Sequence, residues 1–477
     1  MTDLHSILIL VPHQDDEVII AGQIIPSIVE EGLECCICFA TNGDFREEDG
    51  AVRAKEALTV AEFLGVPPEN VVFLGYPNYD EKRHLHDYPN EPMHSFGHDK
   101  AYGCLDGRLC WSARRAEGPR AIAGESAVAD IADVVASFLP DVILCTDFDA
   151  HPDHRALSLF FDEAMERVLR ARRSYAPLVL KSFAYATLWN GPRDYYEFAE
   201  TARPSGFPEA WPFELENPNY LWDERVRLAP NPRTLTPGRR GNPVYEAFRR
   251  YPSQVAWPHY RSVCNADVVC WPRRTDNLLF GAEVSASSGD VRLLGGFRRF
   301  DVKSVCVPLE DIEFLPIGWT PEVTDAAPSL KIVFSEPVRP RLVRVWCSPG
   351  CIPCGVVRCK SDAGEIVDGG FGGGAGLSLE LCGVATVTSL MLDFSGVESP
   401  FSIASIEMLE CVDDAWKPLQ DFERVLQRHG GVTPKPSRFA KLKTQLMKLR
   451  VAFYYRIECK FRKERHVQVC DSGTAFL

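Results

Sequence analysis

The fold of this chain is decided by the stretch Ile7-Leu8-Ile9-Leu10-Val11-Pro12-His13-Gln14-Asp15-Asp16-Glu17. Its apolar first half predicts a buried β-strand, and the apolar run that follows at residues 18–21 predicts a helix. The polar residues between them therefore lie at the carboxyl end of a strand, which is where open α/β sheets bind their ligands. A histidine and neighbouring acids in that position need partners, because a polar group that is buried without a partner costs free energy.

A second polar stretch, His151-Pro152-Asp153-His154, comes shortly after another apolar run at residues 142–145. Because the carboxyl ends of parallel strands meet at one edge of a sheet, the two stretches can converge on one divalent metal ion. A catalytic zinc site takes three protein ligands and leaves a fourth position for water. His13, Asp16 and His154 would supply those ligands.

The neighbours of these ligands suit acid–base chemistry. Asp15 adjoins Asp16 yet points elsewhere, so it can accept a proton from the attacking water. His151 can donate a proton or hold the developing oxyanion, and Asp153 can orient an imidazole. The alternative is that Asp15 and Asp16 cap a helix, as acids near a helix start often do. The presence of two such clusters in one sheet favours the metal site.

Residues 5–190 alternate strand-like and helix-like segments, which predicts a mainly parallel sheet with helices on both faces. The predicted strands are residues 6–11, 33–41, 71–74, 141–145 and 178–188, and the predicted helices are residues 18–31, 51–64, 125–139 and 155–173. A long insertion at residues 80–124 interrupts this pattern, and such a loop in a compact domain is usually functional or disordered. Residues 190–260 are irregular and rich in Pro and Trp.

From about residue 277 strand-like runs follow one another between Gly and Pro turns, which is typical of an antiparallel β-sandwich. The glycine-rich tract 369–374 is predicted to be a loop between two of these strands. We therefore expect three parts: an α/β domain at residues 1–274, a sandwich at residues 275–412, and a basic helical tail at residues 413–477.

The two polar stretches resemble the signature motifs of a known family. Pro12-His13-Gln14-Asp15-Asp16-Glu17 resembles the (A/S)HPDDE motif of the PIG-L/LmbE family of zinc-dependent N-acetylglucosamine de-N-acetylases, and His151-Pro152-Asp153-His154 resembles its HxDH motif. Thr41-Asn42-Gly43-Asp44 and Phe73-Leu74-Gly75-Tyr76 are similar to family signatures in order and spacing. The resemblance covers about residues 5–190 and continues more weakly to about residue 270 through Tyr251-Pro252-Ser253-Gln254.

The resemblance implies a Rossmann-like fold without a dinucleotide. It implies zinc, with Fe²⁺ as the alternative, on His13, Asp16 and His154. It also implies catalytic roles for the remaining motif residues, with Asp15 as general base and His151 stabilising or protonating the tetrahedral intermediate. Arg53 and Asp80 would lie near the sugar. The implied reaction is hydrolysis of an amide that releases acetate from an N-acetylated amino sugar.

Two positions depart from the family pattern. Gln14 replaces the usual Pro, which could loosen the ligand loop but removes no ligand. Asp149 stands where some members place a Tyr or Arg that polarises the carbonyl, so that donor and the substrate stay open. For Arg53 the alternative is a surface helix residue paired with Glu56, as residues three or four apart on a helix often are.

Two other features have alternative explanations. His84, His86, His94 and His98 lie in the insertion, where solvated histidines are favoured over a second metal site. The stretch that begins at Asn277 is similar to the opening of discoidin-like sandwich domains, which often bind carbohydrate. The alternative is a packing domain without a ligand.

Composition bounds the class of protein. The 477 residues are 45% hydrophobic and 25% charged, as expected for a soluble globular protein. No signal peptide or membrane-spanning stretch is predicted, and the 17 cysteines, many of them within apolar runs, are expected to be reduced. We therefore expect a cytoplasmic protein, with the inner face of the membrane as a second location.

Charge is unevenly distributed along the chain. Residues 435–477 carry eleven Lys and Arg against three acids, whereas the whole chain has a net charge of −14. The acidic body argues against nucleic-acid binding. Apolar residues recur at three- and four-residue steps in the tail, which predicts a basic amphipathic helix. That helix either contacts an anionic membrane through residues 435–465 or docks on the acidic body.

Together these features predict a zinc-dependent hydrolase that removes an acetyl group from an N-acetylated amino sugar in a cell-wall or lipid-linked glycan, with water activated by the metal as nucleophile. One alternative is an amidase that acts on a thiol–sugar conjugate. Another is a glycan-binding protein on a catalytically inactive deacetylase scaffold.

Overall fold

The computed structural model describes residues 4–78, 84–103, 110–149, 151–184, 226–236, 241–254, 268–291, 294, 296–308, 311–348, 351, 353–372, 376–381, 386–398, 400–412 and 415–429. Asp80, most of residues 190–260 and the basic segment 435–477 lie outside the described residues. The predictions made for them, including membrane contact by the tail, therefore stay predictions.

The first part of the chain forms a seven-stranded, mainly parallel sheet. Its strands are β1 (Ser6–Val11), β2 (Glu34–Thr41), β3 (Val71–Tyr76), β4 (Val142–Thr146), β5 (Leu178–Ser182), β6 (Val226–Leu228) and β7 (Val268–Arg273). The strand order is β3-β2-β1-β4-β5-β7-β6. Strands β1 to β5 pair in parallel, and β7 and β6 extend the sheet antiparallel. The order places β1 beside β4, so the polar stretches that follow these two strands share one edge.

Helices cover both faces of this sheet. They are α1 (Asp16–Ala21), α2 (Ile25–Glu31), α3 (Glu47–Leu64), α4 (Gly124–Phe138), α5 (Pro152–Ala171), α6 (Pro243–Phe248) and α7 (Lys417–His429). The side chains of β1 alternate between two cores, because successive residues of a strand point to opposite faces. Ile7 and Ile9 pack in the core that contains α1, α2 and α3, whereas Leu8 and Leu10 pack in the core that contains α4 and α5.

The helix predicted at residues 18–31 is two helices. Pro26 lies in the first turn of α2 and has no amide hydrogen, so it cannot continue the hydrogen bonding of α1. Gly22, which caps α1, lies so close to the carbonyl oxygen of Val18 and to Val244 of α6 that a Cβ there would collide with both. The absence of a side chain at Gly22 therefore lets the end of α1 pack closely against α6.

The chain after β7 forms antiparallel sheets. The strands are β8 (Ala282–Ala286), β9 (Asp301–Val302), β10 (Phe314–Leu315), β11 (Ser329–Val338), β12 (Leu342–Cys347), β13 (Cys354–Ser361), β14 (Ile366–Gly372), β15 (Gly376–Glu380), β16 (Val387–Val397) and β17 (Ile403–Leu409). A five-stranded sheet in the order β14-β13-β16-β11-β8 and a three-stranded sheet in the order β15-β12-β17 enclose one apolar core. The predicted α/β sheet and the antiparallel β-rich region after it are both confirmed.

The predicted loop at residues 369–374 is wrong for its first four residues. Residues 369–372 belong to β14, which pairs with β13. Gly369 lies so close to the side chain of Leu379 in β15 that a Cβ would collide with it. The glycine therefore permits close packing of two sheets rather than a flexible turn.

The β-rich region contacts the α/β domain directly. Phe297, Phe300, Val302 and Val305 share a core with α4 and α5. After the sandwich, α7 returns to α2, where His429 Nε2 lies 2.6 Å from Glu31 Oε2. The domain limits at residues 274 and 412 and the likeness to discoidin domains stay predictions. Among the described residues, no helix is both long and apolar enough to span a bilayer.

Candidate metal centre and active site

Three side-chain atoms meet at the carboxyl ends of β1 and β4. His13 Nδ1 lies 3.2 Å from Asp16 Oδ2 and 3.2 Å from His154 Nε2, and the latter two atoms are also 3.2 Å apart. All three residues are almost fully buried. Ligands about 2.0–2.1 Å from a tetrahedral zinc ion are separated by about 3.3–3.4 Å. The spacing of the three atoms therefore suits such an ion.

The outer nitrogens of the two histidines face carboxylates. His13 Nε2 lies 2.9 Å from Asp153 Oδ2, and His154 Nδ1 lies 2.8 Å from Asp149 Oδ2. When a neutral imidazole donates its outer N–H to the carboxylate behind it, its inner nitrogen presents a lone pair. Two lone pairs and a carboxylate oxygen repel one another unless a cation lies between them.

Asp16 supplies a further observation that fits a cation at this position. Its second oxygen, Oδ1, is buried and has no hydrogen-bond partner among the described residues. A buried carboxylate oxygen without a partner is costly, and a carboxylate oxygen is a suitable ligand for a divalent metal ion. The residues present therefore fit a divalent metal ion.

The charges around the site point the same way. Burial opposes the charge on His154, yet Asp149 and Asp16 raise its pKa to about 10. The pKa of His13 is also raised, because Asp153 and Asp16 outweigh burial. Asp16 has a lowered pKa, since the two histidines outweigh burial. The carboxylates thus favour two positive charges here, and a divalent cation would supply the same charge.

Gln14 ties the ligand loop down rather than loosening it. Its Nε2 donates to the carbonyl oxygen of Thr41 at 2.8 Å, at the end of β2. The hydroxyl of Thr41 in turn donates to the carbonyl oxygen of Pro12 at 2.9 Å. The side chain at position 14 therefore replaces the rigidity of a proline by a hydrogen bond to the neighbouring strand.

Asp15 does not act as a helix cap. It occupies the N-cap position of α1 with φ of 136°, a strained backbone conformation for a residue other than glycine. Its carboxylate makes no capping hydrogen bond within the described residues, and its Oδ1 lies 3.2 Å from Nη2 of Arg53. Burial raises the pKa of Asp15 to about 7, against the opposing charge of Arg53. A carboxylate with that pKa suits a general base near neutral pH.

Arg53 is buried rather than exposed on the helix surface. Its Nη2 also donates to the carbonyl oxygen of Gln14 at 2.7 Å. Glu56, the alternative partner, instead accepts a hydrogen bond from the backbone N–H of Ser253 at 3.0 Å. The surface-pair alternative is therefore wrong, and Arg53 orients Asp15. Its contact with a sugar stays a prediction, as does that of Asp80, which lies outside the described residues.

His151 lies beside His13 and His154 at the same strand ends. Its ring centroid lies 4.7 Å from that of His13, and one ligand atom from each of His13, His151 and His154 falls within 4.8 Å of the others. Its Nδ1 accepts from the backbone N–H of Asp153 at 3.2 Å, which leaves the proton on Nε2. Burial and the nearby histidines hold the pKa of His151 well below its usual value.

The sequence missed several residues that support this site. The expectation that the inserted histidines are solvated is wrong for His84 and His86, both largely buried against carboxylates. His84 Nε2 lies 3.0 Å from Asp153 Oδ1. No second metal cluster occurs among the described residues. The spacing of the inserted histidines in the sequence could not predict that one of them contacts Asp153.

A buried pair, Glu17 and Tyr251, contacts the backbone of Asp15. Tyr251 donates to Glu17 Oε1 at 2.6 Å, and Glu17 Oε2 accepts the backbone N–H of Asp15 at 3.0 Å. Burial raises the pKa of Glu17 to about 8. The short motif that begins at Tyr251 therefore reaches the ligand loop, although it lies far away in the sequence.

Comparison with known proteins gives a family match over part of the chain. Residues 8–165 match the family model described as PIG-L, GlcNAc-PI de-N-acetylase. No curated protein sequence matches the chain.

Among solved structures, the chain is similar to N,N'-diacetylchitobiose deacetylase from Pyrococcus horikoshii, with 18% identity and a TM-score of 0.26 over 40% of this chain and 63% of that one. It is also similar to a deacetylase from the teicoplanin biosynthesis pathway, with 14% identity and a TM-score of 0.32 over 57% of this chain and 99% of that one. A third similar structure is CpGH89CBM32-6, produced by Clostridium perfringens, with 12% identity and a TM-score of 0.22 over 28% of this chain and 99% of that one. The chain thus spans less than two thirds of the chitobiose deacetylase.

Proposed function

We propose that this chain, whose residues 8–165 match the PIG-L family model, is a metal-dependent N-deacetylase that releases acetate from an N-acetylated amino sugar of the N-acetylglucosamine type. The observation that carries the proposal is the convergence of His13 Nδ1, Asp16 Oδ2 and His154 Nε2, each 3.2 Å from the other two. Zinc is the proposed metal and Fe²⁺ the alternative. A cell-wall or lipid-linked glycan is the proposed carrier of the sugar.

The side chains around the metal position divide the proton transfers between them. A divalent ion held there supplies a Lewis acid that polarises the acetamide carbonyl and lowers the pKa of water. Asp15 accepts a proton from the water as the water oxygen bonds to the carbonyl carbon. The N–H on Nε2 of His151 is available to the carbonyl oxygen as it gains negative charge. The C–N bond then breaks, and the amine leaves with the proton that Asp15 received.

The same geometry explains why Asp15 and Asp16 serve different roles. Asp16 is surrounded by two histidines that keep it ionised, as a ligand requires. Asp15 faces only Arg53 as a direct ion-pair partner in the described chain, and burial lifts its pKa to about 7. Two adjacent carboxylates whose pKa values are pushed apart are a recurring arrangement in acid–base catalysis.

The test is acetate release from N-acetylglucosamine conjugates by the zinc-loaded full chain. We expect Asp15→Asn to lower kcat by about 100-fold or more while bound zinc stays at one ion per chain, because loss of a general base costs about 10²–10⁴-fold. Glu48→Gln, which alters an exposed acid at the start of α3, serves as the matched control and should keep full activity.

Two outcomes would contradict the proposal. Undiminished acetate release by Asp15→Asn would remove Asp15 from the mechanism. A wild-type chain that binds zinc and glycans yet releases no acetate would support the glycan-binding alternative, and release of a different acid from a thiol–sugar conjugate would support the amidase.

A further inference from the structure

A chain of hydrogen bonds runs from the insertion to a metal ligand. The backbone N–H of His86 donates to Nδ1 of His84 at 3.1 Å. Nε2 of His84 lies 3.0 Å from Oδ1 of Asp153, and Oδ2 of Asp153 lies 2.9 Å from Nε2 of His13. The side chains of His84, Asp153 and His13 are at most 6% exposed. Water therefore has little access to replace any of these contacts.

Each proton in this chain has one consistent position. Nδ1 of His84 accepts the N–H of His86, so the ring proton sits on Nε2 and is donated to Asp153. The other oxygen of Asp153 is thereby left for the N–H of His13, whose Nδ1 keeps its lone pair for the metal. His84 thus restrains the carboxylate that orients His13, which places it one step further from the metal than Asp153.

The β-rich region holds this arrangement from the outside. His84 is followed by a turn, Leu85–Asp87, whose last carboxylate accepts hydrogen bonds from Ser304 Oγ at 2.6 Å and from the backbone N–H of Val305 at 3.1 Å. The carbonyl oxygen of Val305 accepts Nε of Arg155 at 3.0 Å. Arg155 lies directly after His154 in α5. Val305 therefore ties the turn that carries His84 to the helix that carries Asp153 and His154.

We propose that His84 is a positioning residue for the metal ligand His13, acting through Asp153, and that Ser304 and Val305 of the β-rich region hold it in place through Asp87. This inference rests on the proposed metal site. It assigns the β-rich region a part in building the active site, whether or not that region also binds carbohydrate.

A role in packing alone makes a different prediction from a role in hydrogen bonding. Leu has about the volume of His but no donor, whereas the amide of Gln can place an N–H near the position of Nε2. If His84 only fills space, Leu and Gln should be equivalent there. If it positions Asp153, Gln should rescue what Leu loses.

The experiment measures zinc affinity of the full chain by competition with a chelator, without substrate. We expect His84→Leu to raise the Kd for Zn²⁺ by about tenfold, at the lower end of the effect of changing a residue behind a metal ligand. His84→Gln should stay within about threefold of the wild type. His94→Leu, which alters an exposed histidine of the same insertion, is the matched control and should leave the Kd unchanged.

A double-mutant cycle tests the contribution of the β-rich region. Asp87→Ala removes the acceptor for Ser304 and Val305 and should raise the Kd in the same direction as His84→Leu. When combined with His84→Leu it should add little, because both changes act through one path. Fully additive effects would overturn the part of the proposal that concerns Ser304 and Val305.

A measurement on the wild type covers the case in which a variant does not fold. In the zinc-loaded chain with ¹⁵N-labelled histidine, His84 should carry a proton on Nε2 and none on Nδ1. A proton on Nδ1 would overturn the proposal, as would equal Zn²⁺ affinity in His84→Leu and the wild type, or equal losses in Leu and Gln.

Failure of this inference can be told from failure of the proposed function. If the wild type releases no acetate but His84→Leu weakens zinc binding, the proposed function is wrong and the positioning role of His84 stands. If the wild type releases acetate but His84→Leu binds zinc as tightly as the wild type, the proposed function stands and the positioning role of His84 is wrong.

Discussion

Carboxylates behind the two histidines decide which ring nitrogen faces the metal position. Asp153 holds the outer nitrogen of His13, and Asp149 holds that of His154. Both acids belong to the second polar stretch or lie just before it. A local sequence pattern therefore supplies two supporting carboxylates together with the proposed ligand His154. The ligand set itself was predicted from the polar residues at two strand ends and from the family motifs, whereas the support from Asp149 was not predicted.

Asp149 offers a test at the scale of one residue. Its Oδ2 lies 2.8 Å from His154 Nδ1 and accepts the backbone N–H of Ala184 at 3.2 Å. We expect Asp149→Asn to raise the Kd for Zn²⁺ by about 10- to 100-fold, because a neutral amide holds the ring less firmly and lowers its basicity. Chelator competition measures this, with circular dichroism to confirm folding.

Asp99→Asn is the matched control for Asp149→Asn, since Asp99 is exposed in the insertion. An unchanged Kd in Asp149→Asn would mean that the carboxylate does not orient His154. A loss that Asp99→Asn shares would point to a general effect of charge instead.

At the scale of secondary-structure elements, apolar periodicity predicted the strands better than the helix ends. Strands β2 and β12 follow their apolar runs closely, because burial of both faces leaves a short continuous signal. The division between α1 and α2 was missed, although Pro26 in the first turn of α2 interrupts the hydrogen bonding of α1. The glycine tract at residues 369–374 was misjudged because the close approach of Gly369 to Leu379 follows from the packing of two sheets.

The break at Gly22 makes a prediction about stability. A Cβ at this position would collide with the carbonyl oxygen of Val18 and come within 2.9 Å of Val244 Cγ1. We expect Gly22→Ala to lower the urea midpoint of the α/β domain by the equivalent of about 1–3 kcal/mol, because crowding a packed core costs that much. Fluorescence-detected urea unfolding measures the shift.

Gly281→Ala is the control for Gly22→Ala, since its nearest neighbour to an added Cβ is a flexible Arg173 side chain at 3.8 Å. Its midpoint should stay close to the wild type. A Gly22→Ala chain as stable as Gly281→Ala would show that α1 and α6 can separate without cost.

At the scale of the whole molecule, the β-rich region and the α/β domain share partly buried ionic contacts. His86 of the insertion lies between Asp87, at 3.1 Å, and Asp301 of β9, at 2.9 Å. Arg298 also lies 3.3 Å from Asp301 and 3.3 Å from Glu163 of α5. Contacts between residues that are 135 and 215 positions apart arise from how the two parts pack, so no local pattern in the sequence could have predicted them.

The pH dependence of stability tests these contacts between the two parts. Burial opposes the charge on His86, but Asp301 and Asp87 raise its pKa to about 9, above the usual 6.5. A raised pKa means that the charged form stabilises the fold fully below pH 6.5 and loses this contribution as the pH rises through about 9. We expect the Tm of the wild type to fall relative to that of His86→Gln as the pH rises from 6.5 to 9.

The comparison between the two chains removes the contribution of every other group that titrates in this window. His94→Gln, at an exposed histidine of the same insertion, should follow the wild type at each pH. If the Tm difference between wild type and His86→Gln stays constant from pH 6 to 9.5, the charge on His86 does not join the two parts. The change in the Tm difference reports on the contact between the two parts, because His86→Gln keeps both carboxylates and removes only the cation between them.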